Sequence, residues 1–356
     1  MSDMVPLVGE NRAFASYGMT VLRKSPRKGI IRLLSKLKID QKHLSEDDIA
    51  FMVTPRINAA SRMGAPMDAF HMLSAETEED AAAYVDHLDH INNERKGIVA
   101  ALVKEVKKLV RERHGEEAPA AIVMGNPDWR PSLLGLVANS CAEEFQRPVF
   151  LWGRDGSDAL KGSCRSEGVS NIVEIMRAVP SGVFIKFGGH KHSGGFEIAT
   201  DAIHFLEQHL VRAAEMVNAP RIAAQALAAS QGTSIPVGAL DDIDAELSLD
   251  EVDYRLHADI SRLAPFGTGN AKPLFLFRNV KPISVRRFGK GEDHIELVFN
   301  KTSGSKVSAI SFFGISNPWA EHVVAGKAID LIASVEQSFF RGRPELRLRV
   351  EDVIYS

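Results

Sequence analysis

Ala121-Ile122-Val123-Met124 and Pro148-Val149-Phe150-Leu151-Trp152 are apolar, β-rich runs, and the helical pattern Leu133 to Phe145 lies between them. A second helical pattern runs from Ile203 to Met216, and clusters of Gly, Pro and Asp separate the pieces. Strand-type and helix-type runs in alternation, punctuated by turn formers, define an α/β domain over about residues 116–217.

On the N-terminal side, Val85, Leu88, Ile91, Ile98, Leu102, Val106 and Leu109 recur every three or four residues between Thr77 and His114. That spacing predicts one long helix, with Gly115 as its stop signal. The helix dominates a connecting segment over residues 53–115. Residues 1–52, with the basic helical stretch Gly29-Ile30-Ile31-Arg32-Leu33-Leu34-Ser35-Lys36-Leu37, are too few for a core of their own.

Beyond the α/β domain, residues 218–243 are rich in Ala and then in Ser, Gly and Pro, which suits a helix tail leading into a linker. From residue 244 a short helical segment precedes Ala264-Pro265-Phe266-Gly267-Thr268-Gly269-Asn270, and the remainder reads as strands. Leu346, Leu348 and Val350 alternate with Arg347, Arg349 and Glu351, giving one apolar and one charged face. Five strands are predicted near 274–288, 294–300, 306–313, 328–339 and 344–354, with a helix near Pro318 to Val324. That order fits an OB-type β-barrel over residues 244–356.

Bulk properties narrow the function classes. A net charge of -3 over 356 residues provides no overall attraction to nucleic acid, so any phosphate-binding surface must come from local clustering of cations. Two cysteines without CxxC spacing argue against a disulfide framework or a zinc site and fit a reducing cytoplasm. The absence of a basic start followed by an apolar stretch, and of any 18-residue apolar run, leads us to expect neither export nor a membrane partner.

Three segments carry candidate chemistry. In Gly188-Gly189-His190-Lys191-His192-Ser193-Gly194-Gly195-Phe196, the paired glycines allow close backbone approach to a phosphate and His190 can donate to its oxygens. The alternative is a plain glycine turn. Lys161-Gly162-Ser163-Cys164-Arg165-Ser166 gathers hydroxyls and cations around a glycine, with Ser163, Arg165 and Ser166 as phosphate candidates; Cys164 reads as a small buried residue. Thr54-Pro55-Arg56-Ile57-Asn58-Ala59-Ala60-Ser61-Arg62-Met63-Gly64 offers Arg56 or Arg62, whose planar forks suit a terminal phosphate or, alternatively, a solvated helix face. Asp86-His87-Leu88-Asp89-His90 imitates a metal signature but reads as the solvated face of the long helix.

Taken in order, Pro55-Arg56-Ile57-Asn58-Ala59-Ala60, Trp129 with Leu134-Gly135-Leu136-Val137-Ala138, Arg147-Pro148-Val149, Gly162 to Ser166, Phe187-Gly188-Gly189-His190 and Pro265 to Asn270 resemble the RecJ family of the DHH superfamily. The resemblance covers essentially the whole chain. It implies a multidomain α/β plus β protein: a remnant of a DHH domain, a long helix, a DHHA1 domain and a RecJ OB domain. The implied activity is 5′-to-3′ exonuclease action on single-stranded DNA in recombination and repair, with phosphate contacts from Arg56 or Arg62, Ser163, Arg165, Ser166, Gly188, Gly189 and His190. It further implies Mn2+ or Mg2+ as cofactor, with Asp3 as a ligand. The family's upstream aspartate motifs and Asp-His-His signature are absent, so we expect a truncated chain that binds a single strand with a 5′ end without a complete catalytic site. A separately encoded DHH domain or other repair proteins are the expected partners. A noncatalytic single-strand-binding module, or a phosphodiesterase for oligonucleotides or dinucleotides, are the alternatives.

Overall fold

The computed structural model describes residues 5–115, 117–154, 156, 159–168, 170–230, 243–338 and 344–355. The chain divides into two compact units, Met1–Lys24 with Gln41–Ala50 and Ser234–Ser356, and Ser25–Asp40 with Phe51–Thr233. Residues 1–52, expected as one remnant, are therefore shared between the units. Helix α1 (Gly9–Arg23) belongs to the first and α2 (Lys28–Leu37) to the second.

In the second unit, α2, α3 (Thr54–Met63) and α4 (Pro66–Ser74) pack on the N-terminal part of α5 (Glu78–His114). Leu33, Ala59, Ala60, Met72, Val85 and Leu88 form their shared core. α2 approaches α4 closely because residue 29 is glycine: a Cβ there would lie 1.8 Å from the Met72 carbonyl oxygen. The 37-residue α5 is about 55 Å long at the usual helical rise. Thr77 caps it by accepting a hydrogen bond from the Asp80 N–H, acidic residues fill its first turn, and Arg111, Arg113 and His114 complement the dipole in its last.

The C-terminal part of α5 joins a second layer. Strand β1 (Ile122–Gly125), α6 (Pro131–Phe145), β2 (Val149–Arg154), β3 (Leu160–Arg165), α7 (Ile172–Ala178), β4 (Phe184–His190), β5 (Ser193–Ile198) and α8 (Leu206–Ser230) follow in the chain. The sheet order is β1-β2-β3-β5-β4, with β1 and β2 parallel and the other pairs antiparallel. One face is covered by Leu102, Val106 and Val110 of α5 and by α6; the other carries Phe150, Cys164, Ile175, Phe196 and Leu210. Covered on both faces, β1 and β2 read as continuous apolar runs. α8 runs on through the Ala-rich helix tail expected after Met216 and ends at Ser230.

The first unit is built on a seven-stranded sheet of order β6-β7-β11-β12-β10-β9-β8. Its strands are β6 (Ala245–Glu246), β7 (Phe275–Val280), β8 (Ser284–Phe288), β9 (His294–Asn300), β10 (Lys306–Ser311), β11 (Ile329–Ser338) and β12 (Glu345–Ile354), with α9 (Tyr254–Ser261) after β6. Phe277, Leu297, Phe299, Leu331 and Leu348 fill one continuous core. The strand expected at 274–288 is two strands, separated at residues 281–283, where Pro282 has no N–H to donate. The helix expected near Pro318 is a 3₁₀ turn, Pro318–Glu321. Pro265 to Asn270 serves as a clamp: Leu7 N–H donates to the Thr268 carbonyl, while the Asn270 amide ties back to the Leu263 and Pro265 carbonyls. No helix among the described residues is long and apolar enough to cross a membrane.

Two glycine substitutions should separate close packing from helix propensity. Gly29→Ala is expected to destabilise by about 1–3 kcal/mol through overpacking. Gly97→Ala, where nothing lies within 4 Å of an added Cβ in the middle of α5, should stabilise by roughly 0.5–1 kcal/mol. Denaturant unfolding of both variants checks this; equal effects would contradict the packing described for α2.

Candidate phosphate-binding site

Arg56 lies one residue after Pro55 in the first turn of α3 and is buried. Its Nε donates to Asp89 Oδ1 at 2.9 Å and its Nη1 to the Met52 carbonyl at 2.7 Å. Lys36 lies 3.8 Å from Asp89 and bonds Asp86 at 2.7 Å, while His87 meets Asp68 at 2.9 Å. The carboxylates of the metal-like Asp86 to His90 segment are thus committed to cations on neighbouring helices. Of the two arginines expected on α3, Arg56 holds helices together.

Arg62, in the last turn, is placed differently. Its Nη1 donates to the Ser132 carbonyl at 2.8 Å, and Ser132 Oγ donates back to the Arg62 carbonyl at 2.8 Å, fixing the end of α3 to the start of α6. Arg165, at the end of β3, donates from Nη1 to the Cys164 carbonyl at 2.7 Å, and its Nη2 packs over Gly135 of α6, where a Cβ would lie only 2.8 Å away. Arg95 comes from α5 and is buried; its Nη2 donates to Asn92 Oδ1 at 3.0 Å.

These guanidiniums crowd one another. Burial lowers the pKa of Arg62, burial and then the charge of Arg62 lower that of Arg165, and burial followed by Arg62 and Arg56 lowers that of Arg95. Among the described residues no carboxylate forms an ion pair with Arg62, Arg95 or Arg165. Two buried donors beside them, Arg95 Nε and Asn92 Nδ2, have no acceptor among the described residues. Buried donors left without acceptors are costly, and a cationic cluster of this composition is suited to an anion that accepts several hydrogen bonds.

Strand register sets the remaining candidates. Arg165 pairs with Ser193 and Ser193 with His190, so His190 lies two strands, or about 10 Å, from Arg165. Ser163 aligns with Gly195 and Gly188 in the same way and is half-buried. Gly188, Gly189 and His190 are exposed on edge strand β4. Gly189 has φ 153, and a Cβ there would lie 2.3 Å from the Ser193 carbonyl oxygen, so this position requires glycine. Ser166 does not join the set. It is buried, its hydroxyl donates to the Ser170 carbonyl at 2.8 Å, and its backbone N–H is taken by His192.

Cys164 is buried against Met176, and burial pushes its thiol up to about 12; Cys141 is likewise pushed up to about 11. Neither is a nucleophile at neutral pH. The expected metal ligand Asp3 lies outside the described residues, and among those described no group of three or more His, Cys, Asp or Glu could hold a metal ion. The sequence reading missed Arg95 and Asn92. A signal existed: Arg95 occupies the apolar stripe of α5 between Leu88, Ile91 and Leu102, a position where a charged residue needs a reason.

Comparison with known proteins follows the same division of the chain. A DHHA1 domain matches residues 118–219 and a RecJ OB domain residues 243–352. The single-stranded-DNA-specific exonuclease RecJ of Bacillus subtilis (strain 168) is 26% identical over 357 residues, covering 100% of this chain and 43% of the relative. The protein of that name from Thermus thermophilus is 31% identical over 291 residues, 82% of this chain and 39% of the relative. The crystal structure of T. thermophilus RecJ in complex with Mg2+ matches with a TM-score of 0.73 at 24% identity, covering 100% of this chain and 50% of that one, which shows a shared fold. The chain spans about half the length of the curated relatives it matches. The chain carries a DHHA1 domain followed by a RecJ OB domain, and along its length it is similar to RecJ exonucleases.

Proposed function

We propose that this chain is the strand-holding part of a RecJ-type 5′-to-3′ exonuclease of single-stranded DNA, and that Arg62, Arg95 and Arg165 with Asn92 receive a phosphate of the strand, its 5′-terminal phosphate in particular. The carrying observation is the group of three guanidiniums with, among the described residues, no carboxylate ion pair and two buried donors without acceptors. A phosphate monoester fits because it offers up to three oxygens to converging forks. Ser163, Gly188, Gly189 and His190 extend the surface along β3 and β4 toward the following phosphates. Binding depends on neutralised phosphates and therefore weakens steeply with salt. The two buried free thiols fit a reducing cytoplasm.

T. thermophilus RecJ has been solved with Mg2+ and with Mn2+. The described residues of this chain do not fit such a centre, since they assemble no cluster of metal-ligating side chains. We therefore assign binding to the described residues and derive no hydrolytic step from them. The partner we propose is a polypeptide equivalent to the length that the relatives carry beyond this match. In support, α1 exposes Phe14, Tyr17 and Val21 at helical spacing while burying only Met19.

Arg62→Ala, Arg165→Ala and His190→Ala should each weaken binding of a 5′-phosphorylated single strand by roughly 1.5–3 kcal/mol, the worth of a hydrogen bond to a charged group. Arg56→Ala should instead lower stability, by about 1–3 kcal/mol for the buried partner left behind. Titration with labelled strands and thermal unfolding distinguish the two; unchanged affinity in folded Arg62 and Arg165 variants would remove the site. In Mn2+ or Mg2+ the purified chain should bind without degrading the strand. Robust degradation, abolished by Asp3→Ala, would show that this chain holds a working metal centre.

A further inference from the structure

The first unit carries a cluster of aromatic rings that the phosphate site does not use. His294, the first residue of β9, has its ring centroid 5.2 Å from Phe288, 5.4 Å from Phe312 and 4.8 Å from Phe313, each meeting it edge to face. Phe313 is 67% exposed and Phe312 37%. The backbone at Phe313 is left-handed, with φ 55 and ψ 23, a conformation that a bulky residue adopts only when its surroundings impose it. What imposes it is visible: the Phe313 N–H donates to His294 Nδ1 at 3.0 Å, and the Phe313 carbonyl accepts from Ser316 Oγ at 3.0 Å. An aromatic side chain is thus held out toward solvent by a ring behind it and a bond beneath it.

Cations frame the cluster. The Arg349 and Arg347 guanidiniums lie 5.0 Å and 5.6 Å from the Phe312 ring, and that of Arg286 lies 6.0 Å from Phe288. Arg286 and Arg347 are ion-paired with Glu296 and Glu336, whereas Arg349 makes no ion pair with a carboxylate among the described residues. The exposed Phe313 ring, in a cluster whose Phe312 lies beside two guanidiniums, brings together the two elements that hold unpaired nucleic acid, a π-face for a base and a charge for its phosphate. An apolar protein contact would need the ring but not the arginines around it.

We propose that Phe313, positioned by His294, is a stacking platform for one unpaired base of single-stranded nucleic acid, with Arg349 meeting the phosphate beside that base. The inference rests on the reading of the chain as a single-strand binder and adds a base-dependent contact to its phosphate contacts. Because every base has a π-face, the platform is indifferent to sequence but requires that a base be present and unstacked.

The experiment uses the full chain and two single strands of equal length, one bearing a 2-aminopurine reporter among normal bases and one made of abasic sugar-phosphate units. Phe313→Asn removes the ring yet tolerates the left-handed backbone, and Phe313→Trp keeps a stacking face. The wild type should quench the reporter and bind the base-bearing strand more tightly than the abasic one. Phe313→Asn should abolish the quench and weaken base-bearing binding roughly tenfold or more while leaving abasic binding unchanged. Phe313→Trp should restore both, and His294→Ala should reduce the quench more than the affinity for the abasic strand. Equal effects of Phe313→Asn on the two strands, or a quench that survives it, would overturn the platform and leave the phosphate site standing. A wild type that binds neither strand would overturn both.

Discussion

Burying a guanidinium without a counter-ion is unfavourable, and burying several near one another adds repulsion to lost hydration. Arg95 is buried, and Arg62 and Arg165 are partly buried near it, with no carboxylate ion pair among the described residues, whereas Arg56 beside them has Asp89. The arrangement persists because the elements that carry these arginines are fixed by something stronger than the arginines' own preferences. The candidate function follows from that constraint.

α5 supplies the fixation. Its N-terminal part is anchored by Val85, Leu88 and Ile91 in the core shared with α2, α3 and α4, and its C-terminal part by Leu102, Val106 and Val110 under the sheet. Arg95 lies between these two anchors, so its backbone position is fixed by packing on both sides. α6 completes the frame, since Ser132 fixes the end of α3 and Gly135 makes room for Arg165. The apolar contacts that stabilise the fold therefore maintain the crowding that an incoming phosphate would relieve.

Much of this was legible in the residues. The alternation of apolar runs placed β1, α6 and β2, and the strict period of two in Leu346, Leu348 and Val350 placed β12, because burial on one face imposes that period directly. Arg62, Arg165 and the Gly188-Gly189-His190 edge could be named as candidates from the residues alone, because cations and paired glycines at element ends are suited to phosphate. Two features were not legible. Arg56 finds Asp89 33 residues away and Ser166 is closed in by His192 26 residues away, and both depend on tertiary packing, which local spacing does not encode. Arg95 was traceable only through its place in the apolar stripe of α5. The irregularity at Asn279 within β7 was hidden for a related reason, since a positive φ at a non-glycine residue leaves little trace in composition.

The central claim is that the buried donors of α5 await a phosphate. A crystal structure of the full chain with a 5′-phosphorylated single strand tests it most directly. The account predicts a phosphate whose oxygens accept from Arg95 and Arg165, with Asn92 Nδ2 within hydrogen-bond distance of the same group. A strand bound with its phosphates elsewhere, while Arg95 Nε and Asn92 Nδ2 bond only to water, would contradict it.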